Sequence, residues 1–510
     1  MNDPESVLNG RKLSREDIAK LEIGHTEISK AKKWFIVLFF VLLITIYPAL
    51  QICVRQPFAH WRNAGSVQQS IKAYETAIED SSLLRQWLLS PAQRFALKVF
   101  KMGNEKVIVG KDGWLFYTAD HEYLVNRGFM EPEVLSKRVK QGVQPDPVKA
   151  IIDFNRQLQS RGIRLIVLPV PVKPMIYPDK LNGSKAPLQN PSFAKFKQQL
   201  EQAGITVIDI ANDLAAMREA GIEPYLKTDT HWTPTGMELA ARKTAEAIKG
   251  TAIAAPGFIR SQVTASGDIA AMLNLPDVNR YFPAETVSIA DYNCRMQRNS
   301  PVLLLGDSFV NIYSLPAMKW GGNSGFAEAL GAYLGAPVDA ILRNDAGAFA
   351  TRQLLSNEMK RSKDRLAGKK VVVYEFAIRE LTNGDWKMLD ISLGEARESK
   401  FISVDAPRVV TATVWAVSSV PRPNSAPYKD HVMSLHLGDI DGGSEQALVY
   451  TVSMRDNVWT PAAGLRLGDT VKLQLTPWSE AENQYGAWNR SEFDNEELML
   501  EEPIFGTLAE

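Results

Sequence analysis

Three side chains of types that catalyse acyl transfer lie in two short motifs of this sequence. Asp229 and His231 belong to the stretch K-T-D-T-H-W-T-P-T-G, and Ser308 belongs to L-G-D-S-F. Residues two apart in an extended segment project to the same side, so the Asp229 carboxylate can accept a hydrogen bond from one imidazole nitrogen of His231. The other nitrogen is then available as a base toward a serine, as in a Ser-His-Asp triad.

Few other histidines compete for the role of the base. The chain has six, of which two flank an apolar N-terminal segment and two lie in a strand-like C-terminal region, leaving His121 and His231. Each motif alone has a simpler explanation, since G-D-S after a strand is a common turn and D-x-H before a helix can be a capping loop. Together they favour catalysis, with Ser308 as nucleophile, His231 as general base and Asp229 as its orienting acid.

Local sequence signals indicate which elements position these residues. Thr233 and Pro234 are typical of the first positions of a helix, so the D-x-H motif is expected on the loop that enters it. Ser308 directly follows the apolar stretch V-L-L-L-G, which is typical of a buried strand. The serine is therefore expected at the rim of a sheet, where its own backbone N–H can donate to an oxyanion.

The pattern between about residue 147 and residue 376 alternates apolar strand-like runs with amphipathic helix-like runs. This alternation predicts a parallel sheet with helices on both faces. Ligands of such sheets bind beyond the carboxyl ends of the strands, which is where Ser308 falls. After about residue 400 the helical signal is lost, and four strand-like runs separated by turn residues predict a small all-β domain.

The composition narrows the classes of function. Lys+Arg and Asp+Glu both number 58, so the formal net charge is zero, and nothing indicates the basic surface of a nucleic-acid-binding protein. The two cysteines, Cys53 and Cys294, lack the spacing of a metal site. We therefore expect neither a metal nor another cofactor, and no nucleic-acid partner.

A segment without any charged residue runs from Trp34 to Val54. Its length matches the ~20 residues that cross a bilayer as a helix. Seven Lys and Arg residues precede it, whereas only Arg55 and Arg62 follow closely, so the N-terminus is predicted to be cytoplasmic and the remainder external. A cleaved signal peptide is the main alternative, but its apolar core would span only ~7–15 residues before a small-residue cleavage site. A buried core helix is the other alternative.

Four motifs resemble a known family over roughly residues 105–385. They are G-K-D-G-W-L-F-Y at 110–117, D-T-H-W-T-P-T-G at 229–236, G-D-S-F at 306–309 and V-V-V-Y-E-F-A-I-R-E-L at 371–381. These motifs resemble the SGNH-hydrolase-like domains of the alginate O-acetyltransferase family, of the AlgJ/AlgX type. In ordinary SGNH hydrolases the nucleophile motif comes first, whereas here it follows the Asp-x-His motif, as in the acetyltransferase branch.

The resemblance implies O-acetylation of a polysaccharide hydroxyl in the bacterial periplasm by a domain anchored in the inner membrane. It also implies a membrane-bound O-acyltransferase partner that delivers the acetyl groups. By motif, it gives Ser308, His231 and Asp229 the triad roles described above. Asn344 and the loop Gly321–Asn323 are candidates for further oxyanion donors. Two alternatives remain open: an acetyl esterase with the same triad, and a non-catalytic glycan-binding or scaffold protein of an export complex.

The predicted architecture is an α/β, SGNH-hydrolase-like domain between a single N-terminal transmembrane helix and a small C-terminal all-β domain. In chain order, the predicted parts are a cytoplasmic tail (1–33), a transmembrane anchor (34–54), a helical stalk (55–104), the catalytic domain (105–398) and the β-rich domain (399–510).

Overall fold

The computed structural model divides the chain into two compact units, Met1–Ala92 and Gln93–Glu510. In the first unit, strands Val7–Leu8 and Arg11–Lys12 pair antiparallel, and helix Lys30–Arg55 follows. The residues that the structure describes are 7–8, 11–12, 29–55, 83–181, 183, 188–254, 257–395, 400–421, 423, 428–493, 495, 498 and 500–509.

Helices cover parts of the predicted anchor and of the predicted stalk. The predicted anchor over 34–54 falls within helix Lys30–Arg55. Among the described residues, however, no helix is both long and apolar enough to cross a membrane. The predicted stalk over 55–104 contains helix Leu83–Phe95 and a π-helical turn, Ala96–Phe100, whereas 56–82 lies outside the described residues.

A five-stranded parallel sheet forms the centre of the second unit, as the alternating pattern predicts. Val, Ile and Leu dominate its strands, which are buried along nearly their whole length, as expected for a parallel sheet covered by other elements. From one edge to the other, the strands are Asp339–Leu342, Val302–Gly306, Val371–Ala377, Arg164–Val170 and Thr206–Val207.

Helices connect these strands and contribute to the same hydrophobic core. The amphipathic runs of the alternating pattern predict helices near 147–160, 191–203, 325–334 and 348–366. A helix is observed in each range with shorter bounds, and the last of them already ends at Lys360. The α-helices of this part are Thr118–Val125, Pro132–Val139, Pro147–Gln159, Lys173–Ile176, Pro178–Leu181, Phe193–Gln202, Ala211–Glu219, Pro234–Lys249, Asp268–Met272, Ser308–Asn311, Phe326–Leu334, Ala350–Lys360 and Glu380–Asn383.

Two antiparallel hairpins accompany the sheet. The stretch V-I-V-G-K-D-G-W-L-F-Y at 107–117 predicts two short strands around the turn Lys111–Gly113, and the structure confirms them as Val107–Val109 and Leu115–Tyr117. The other hairpin, Ile259–Ala265 with Glu285–Asp291, is not predicted from the sequence. Its partners are about twenty residues apart along the chain and helix Asp268–Met272 interrupts the connection, so no short turn signal identifies it.

The C-terminal residues fold into a small β-barrel, which confirms the predicted all-β domain. Five of its strands close into a ring, because His431–Gly438 pairs with both Arg408–Val417 and Ala447–Arg455. The ring is completed by Thr470–Pro477 and Pro503–Leu508. Short strands Val458–Trp459 and Arg490–Ser491 extend it, and helix Trp478–Tyr485 follows one ring strand.

Apolar and polar contacts join the barrel to the α/β domain. Leu315, which follows the predicted nucleophile by seven residues, is buried in a cluster with the barrel residues Val432, Tyr450, Ala481, Trp488 and Phe505. The Arg343 Nη2 donates to the main-chain oxygen of Arg490 over 2.7 Å. The barrel and the α/β domain therefore pack against each other through apolar contacts and a hydrogen bond.

Candidate active site

The loop that carries Asp229 and His231 is a tight reversal held by its own backbone. The Leu226 N–H donates to the His231 carbonyl over 3.1 Å, and Tyr225 and Trp232 form an isolated antiparallel bridge. The Thr233 hydroxyl accepts from the Gly236 N–H and so caps helix Pro234–Lys249, as predicted. The acid and the histidine therefore lie on the loop that enters this helix.

Ser308 begins a single helical turn immediately after strand Val302–Gly306. The Asp307 carboxylate fixes this turn, since it accepts from the Phe309 N–H over 2.9 Å and from the Ala377 N–H of the neighbouring strand over 2.8 Å. A Cβ at Gly306 would lie 2.4 Å from the Val310 side chain, so glycine is required for this close approach. The strand and the turn thus present the serine at the carboxyl edge of the sheet.

The structure brings the three predicted triad residues together. The His231 Nδ1 lies 2.6 Å from the Asp229 Oδ1, and the His231 Nε2 lies 2.8 Å from the Ser308 Oγ. The Trp320 indole N–H donates to the Asp229 Oδ2 over 3.0 Å, as does the main-chain N–H of Asp268 over 2.9 Å. Both carboxylate oxygens of Asp229 are therefore engaged, which fixes the plane of the carboxylate and, through it, the imidazole.

Opposing effects set the pKa values of the acid and the histidine. Burial raises the pKa of Asp229, but the hydrogen bond from His231 and the charge of His231 outweigh this and hold the pKa below its ordinary value. Burial likewise lowers the pKa of His231, but the hydrogen bond and charge of Asp229, together with the charge of Asp268, raise it above the ordinary value. Asp229 is therefore ionised, and His231 is a stronger base than a free imidazole.

Asp268 is a second carboxylate beside the imidazole, and the sequence analysis missed it. Its Oδ2 lies 3.9 Å from the His231 Nδ1. Its two oxygens accept from the Thr230 N–H and the Thr230 hydroxyl, each over 2.7 Å. Burial and the charge of Asp229 raise the pKa of Asp268 to about 6.

Asp229, His231 and Asp268 place potential ligand atoms within 4.8 Å of one another, close enough to hold a metal ion. These atoms are already used in hydrogen bonds, however. Asp229 is bound by the imidazole and an indole, and Asp268 is bound by Thr230. The donor set therefore suits an oriented acid–base pair better than a cation, which would have to displace these bonds.

Of the groups predicted to donate to an oxyanion, only some lie near the Ser308 hydroxyl. The backbone N–H of Ser308 lies at the start of the turn, and Asn344 lines the same cavity as Ser308. The Asn344 Oδ1 accepts from the Asn311 Nδ2 over 2.7 Å, which orients the Asn344 amide. The loop Gly321–Asn323 is not among the described residues that line this cavity, and its Asn323 lines a neighbouring cavity.

A cavity of about 320 Å³ opens over the triad, and both domains line it. From the α/β domain, Tyr117, Asn344 and Arg379 accompany the triad. The Arg379 guanidinium pairs with the buried Asp120 over 3.0 Å. The barrel contributes residues that the sequence analysis did not associate with the site, namely Tyr428, Lys429, Asp430, Trp488 and Asn489.

Some of the site residues that the sequence analysis missed lie just after strand ends, which is a pattern in the sequence that could have indicated them. Arg379 lies two residues after strand Val371–Ala377, at the edge of the sheet where ligands bind. Lys173 follows strand Arg164–Val170 in the same way. Asp268 lies 39 residues from Asp229 on a helix of its own, so nothing in the local sequence indicates its position.

A protein-family model matches the part of the chain that carries this site. The model, described as the SGNH hydrolase-like domain of acetyltransferase AlgX, matches residues 107–378. The match contains both motifs that supply the triad residues and ends before the barrel.

Several curated proteins are similar to this chain. The probable alginate O-acetylase AlgJ of Pseudomonas syringae pv. tomato is 30% identical over 178 residues, which is 35% of this chain and 42% of that protein. The protein of the same description from Pseudomonas putida is 27% identical over 302 residues, or 56% of this chain and 72% of that protein. The chain thus spans less than half the length of the first of these relatives.

Solved structures are similar as well. The O-acetyltransferase domain of Pseudomonas putida AlgJ aligns with a TM-score of 0.41 at 24% identity, covering 54% of this chain and 92% of that domain. Pseudomonas aeruginosa AlgX aligns with a TM-score of 0.35 at 14% identity, covering 71% of this chain and 88% of that chain.

Proposed function

Because the chain belongs to the family of the SGNH hydrolase-like domain of acetyltransferase AlgX, we propose that it transfers an acetyl group through Ser308 to a hydroxyl of a polysaccharide. The observation that carries this proposal is the hydrogen-bonded chain from Asp229 through His231 to Ser308, with both distances below 3 Å. An oriented base within hydrogen-bond reach of a serine is the arrangement that makes the serine a nucleophile.

In the first half of the reaction, the Ser308 Oγ attacks the carbonyl carbon of the acetyl donor while its proton passes to the His231 Nε2. Negative charge develops on the carbonyl oxygen, where the Ser308 N–H and the Asn344 amide are the proposed donors. The carbonyl re-forms as the bond to the leaving group breaks, and the imidazolium gives its proton to that group. The product is acetyl-serine.

In the second half, a sugar hydroxyl takes the place of the leaving group. The His231 Nε2 removes the hydroxyl proton while the oxygen attacks the acetyl-serine carbonyl. Collapse of this intermediate returns the proton to the Ser308 Oγ and releases the acetylated sugar. Asp229 accepts from the Nδ1–H throughout and stabilises the imidazolium in both halves.

The proposal includes a location and a partner. The basic residues before the uncharged segment 34–54 favour a cytoplasmic N-terminus and a catalytic domain on the periplasmic side of a bacterial inner membrane. An acetyl group that originates in the cytoplasm then needs a membrane-bound O-acyltransferase to carry it across. The relatives described as probable alginate O-acetylases support a polysaccharide as the acceptor.

The decisive experiment is the intact mass of the full-length chain after incubation with p-nitrophenyl acetate. Wild type should gain one acetyl group that maps to Ser308, and Ser308→Ala should gain none. Ser266→Ala is the matched control, since Ser266 lines the same cavity but donates to Asn279 rather than to a histidine. Equal nitrophenol release by wild type and Ser308→Ala would refute the proposal.

The same acetylated enzyme separates transfer from hydrolysis. After removal of the excess donor, the enzyme is divided between buffer and a set of neutral and acidic oligosaccharides. Transfer predicts acetylated sugar and a faster loss of the acetyl group from Ser308 when an acceptor is present. Loss at one rate in both samples, with acetate as the product, would identify an acetyl esterase instead.

A further inference from the structure

The loop residues Leu226–His231 are held in place by groups from outside the loop. The N–H groups of Lys227 and Thr228 each donate to the Glu285 carboxylate over 2.8 Å. The Thr230 N–H donates to Asp268. Carboxylates from outside the loop thus bind three of its main-chain N–H groups, and a different kind of group binds its carbonyl oxygens.

One buried ammonium binds three of those carbonyl groups. The Lys173 Nζ donates to the carbonyl oxygens of Leu226 over 3.1 Å, Lys227 over 3.2 Å and Asp229 over 2.6 Å. The Lys173 side chain is fully buried. All three of its N–H bonds are therefore used, and all three end on the loop that carries the triad acid.

Lys173 is rigidly placed by the sheet. It is the first residue of helix Lys173–Ile176, three residues beyond the end of strand Arg164–Val170. Its ammonium lies 5.9 Å from the centre of the Trp114 ring and 5.6 Å from that of Phe116. A buried, packed cation of this kind fixes the loop relative to the central strands, and the Ser308 turn is fixed to the same strands.

We propose that Lys173 is a positioning residue for the Asp229–His231 pair, acting through the loop carbonyl groups and through its charge. The proposal rests on the proposed function, because it assigns a role to Lys173 in that same site. Lys173 touches neither Ser308 nor the imidazole, so it does not take part in proton transfer. Its effect is to hold the acid in register with the serine and to stabilise the ionised form of that acid.

The charges around the pair make this role measurable. The carboxylates whose charges act on Lys173 are Asp229, Asp268, Glu285 and Asp120. Burial lowers the pKa of Lys173 to about 8 despite these four charges. Asp229, Asp268, Arg379 and Asp120 are the charged groups that act on His231. Removing the Lys173 charge favours the imidazolium, so His231 should hold its proton to higher pH.

The test compares two buried lysines in the full-length chain, Lys173→Met and Lys369→Met. Lys369 is the matched control, because its Nζ also donates to two main-chain carbonyl oxygens, at 2.5 and 2.7 Å, but at the opposite edge of the sheet. It also pairs with Asp339 over 2.8 Å. For each variant, the acetylation of Ser308 is measured against donor concentration and pH, and the folded fraction is measured by circular dichroism.

For Lys173→Met we expect the maximal acetylation rate per folded molecule to fall about tenfold or more, because small misplacements of a catalytic group are costly. The half-saturating donor concentration should change by less than about twofold, since Lys173 does not line the donor site. The acidic limb of the pH profile should move to higher pH. Lys369→Met should change neither the rate per folded molecule nor the profile.

Lys173→Gln covers the case in which Lys173→Met does not fold, since the glutamine amide removes the charge but can still donate to two carbonyl groups. A purely structural lysine would give equal losses in both positions, in proportion to the folded fraction and with an unchanged pH profile, and that result overturns the proposal.

The NMR titration of His231 in a chain labelled at histidine adds a readout that does not need turnover. An upward shift of its pKa in the Lys173 variant, with none in Lys369→Met, supports the positioning role even if wild type forms no acetyl-serine. In that case only the proposed function fails. An unchanged His231 titration alongside normal acetylation overturns the role of Lys173 and leaves the proposed function intact.

Discussion

Two buried histidines, one in each domain, use both of their ring nitrogens yet have opposite properties. In the α/β domain, His231 lies between a carboxylate and the Ser308 hydroxyl. In the barrel, His431 lies between two hydroxyl groups, Ser453 at 2.7 Å and Ser491 at 3.0 Å. Burial and the charges of two arginines lower the pKa of His431 to about 4, whereas Asp229 raises that of His231.

The opposite pKa shifts of these two histidines show that a hydrogen bond to a serine does not by itself make a histidine a stronger base. Hydroxyl groups hydrogen-bond to both ring nitrogens of neutral His431. His431 is not among the described residues that line the cavity over Ser308. A carboxylate on one nitrogen changes the balance, because it stabilises the charged form that proton transfer must create. The carboxylate of Asp229 is therefore the feature that distinguishes the surroundings of His231 from those of the core histidine His431.

Among the substitutions that test the contrast between His231 and His431, Asp229→Asn should have the largest effect on the acetylation rate. The amide can still fill the space, but it no longer favours the imidazolium or the correct tautomer, so the rate of Ser308 acetylation should fall by about 10⁴-fold. Ser453→Ala removes the corresponding partner of His431 and should leave the rate unchanged. A loss of less than about tenfold in Asp229→Asn would show that Asp268 takes over the role.

A smaller effect is expected on the pH dependence of the acetylation rate, which reports the protonation of His231. His231 must be neutral to accept the serine proton, so the acetylation rate should fall about tenfold per pH unit below the raised pKa of His231. Asp268→Asn removes one of the two negative charges near the imidazole and should move this acidic limb to lower pH. The two profiles are measured on the same donor, and an unchanged limb would exclude a contribution from Asp268.

The smallest effect is expected at His431, on stability rather than on rate. The unfolded chain binds a proton on this histidine near pH 6.5, but the folded chain does so only near pH 4. The contribution of His431 to stability should therefore be lost as the pH falls from about 6.5 to about 4. Thermal unfolding at pH 7 and pH 5 should show a smaller difference for His431→Gln than for wild type, with acetylation at pH 7 unchanged within about twofold.

Much of the site could be predicted because its residues lie in short, local patterns. Thr233 and Pro234 indicate where the helix begins, and the apolar run before Ser308 indicates a strand end, so the sequence alone brings the motifs to one edge of the sheet. Asp268 and Lys173 contact the loop across long separations in sequence, which no local pattern encodes, although Lys173 does lie just after a strand end. The share of the cavity that the barrel lines was missed for the same reason.

The α/β domain cannot be separated cleanly at the boundary that the sequence predicts near residue 398. Leu315 packs among apolar residues of the barrel, and Arg343 bonds to the main chain of Arg490. A truncated protein that ends before the barrel would expose this apolar surface to solvent, remove the bonds of Arg343 to Arg490 and Glu492, and remove one wall of the cavity. Such fragments should be poorly soluble when expressed, so useful truncations of this chain keep the barrel attached.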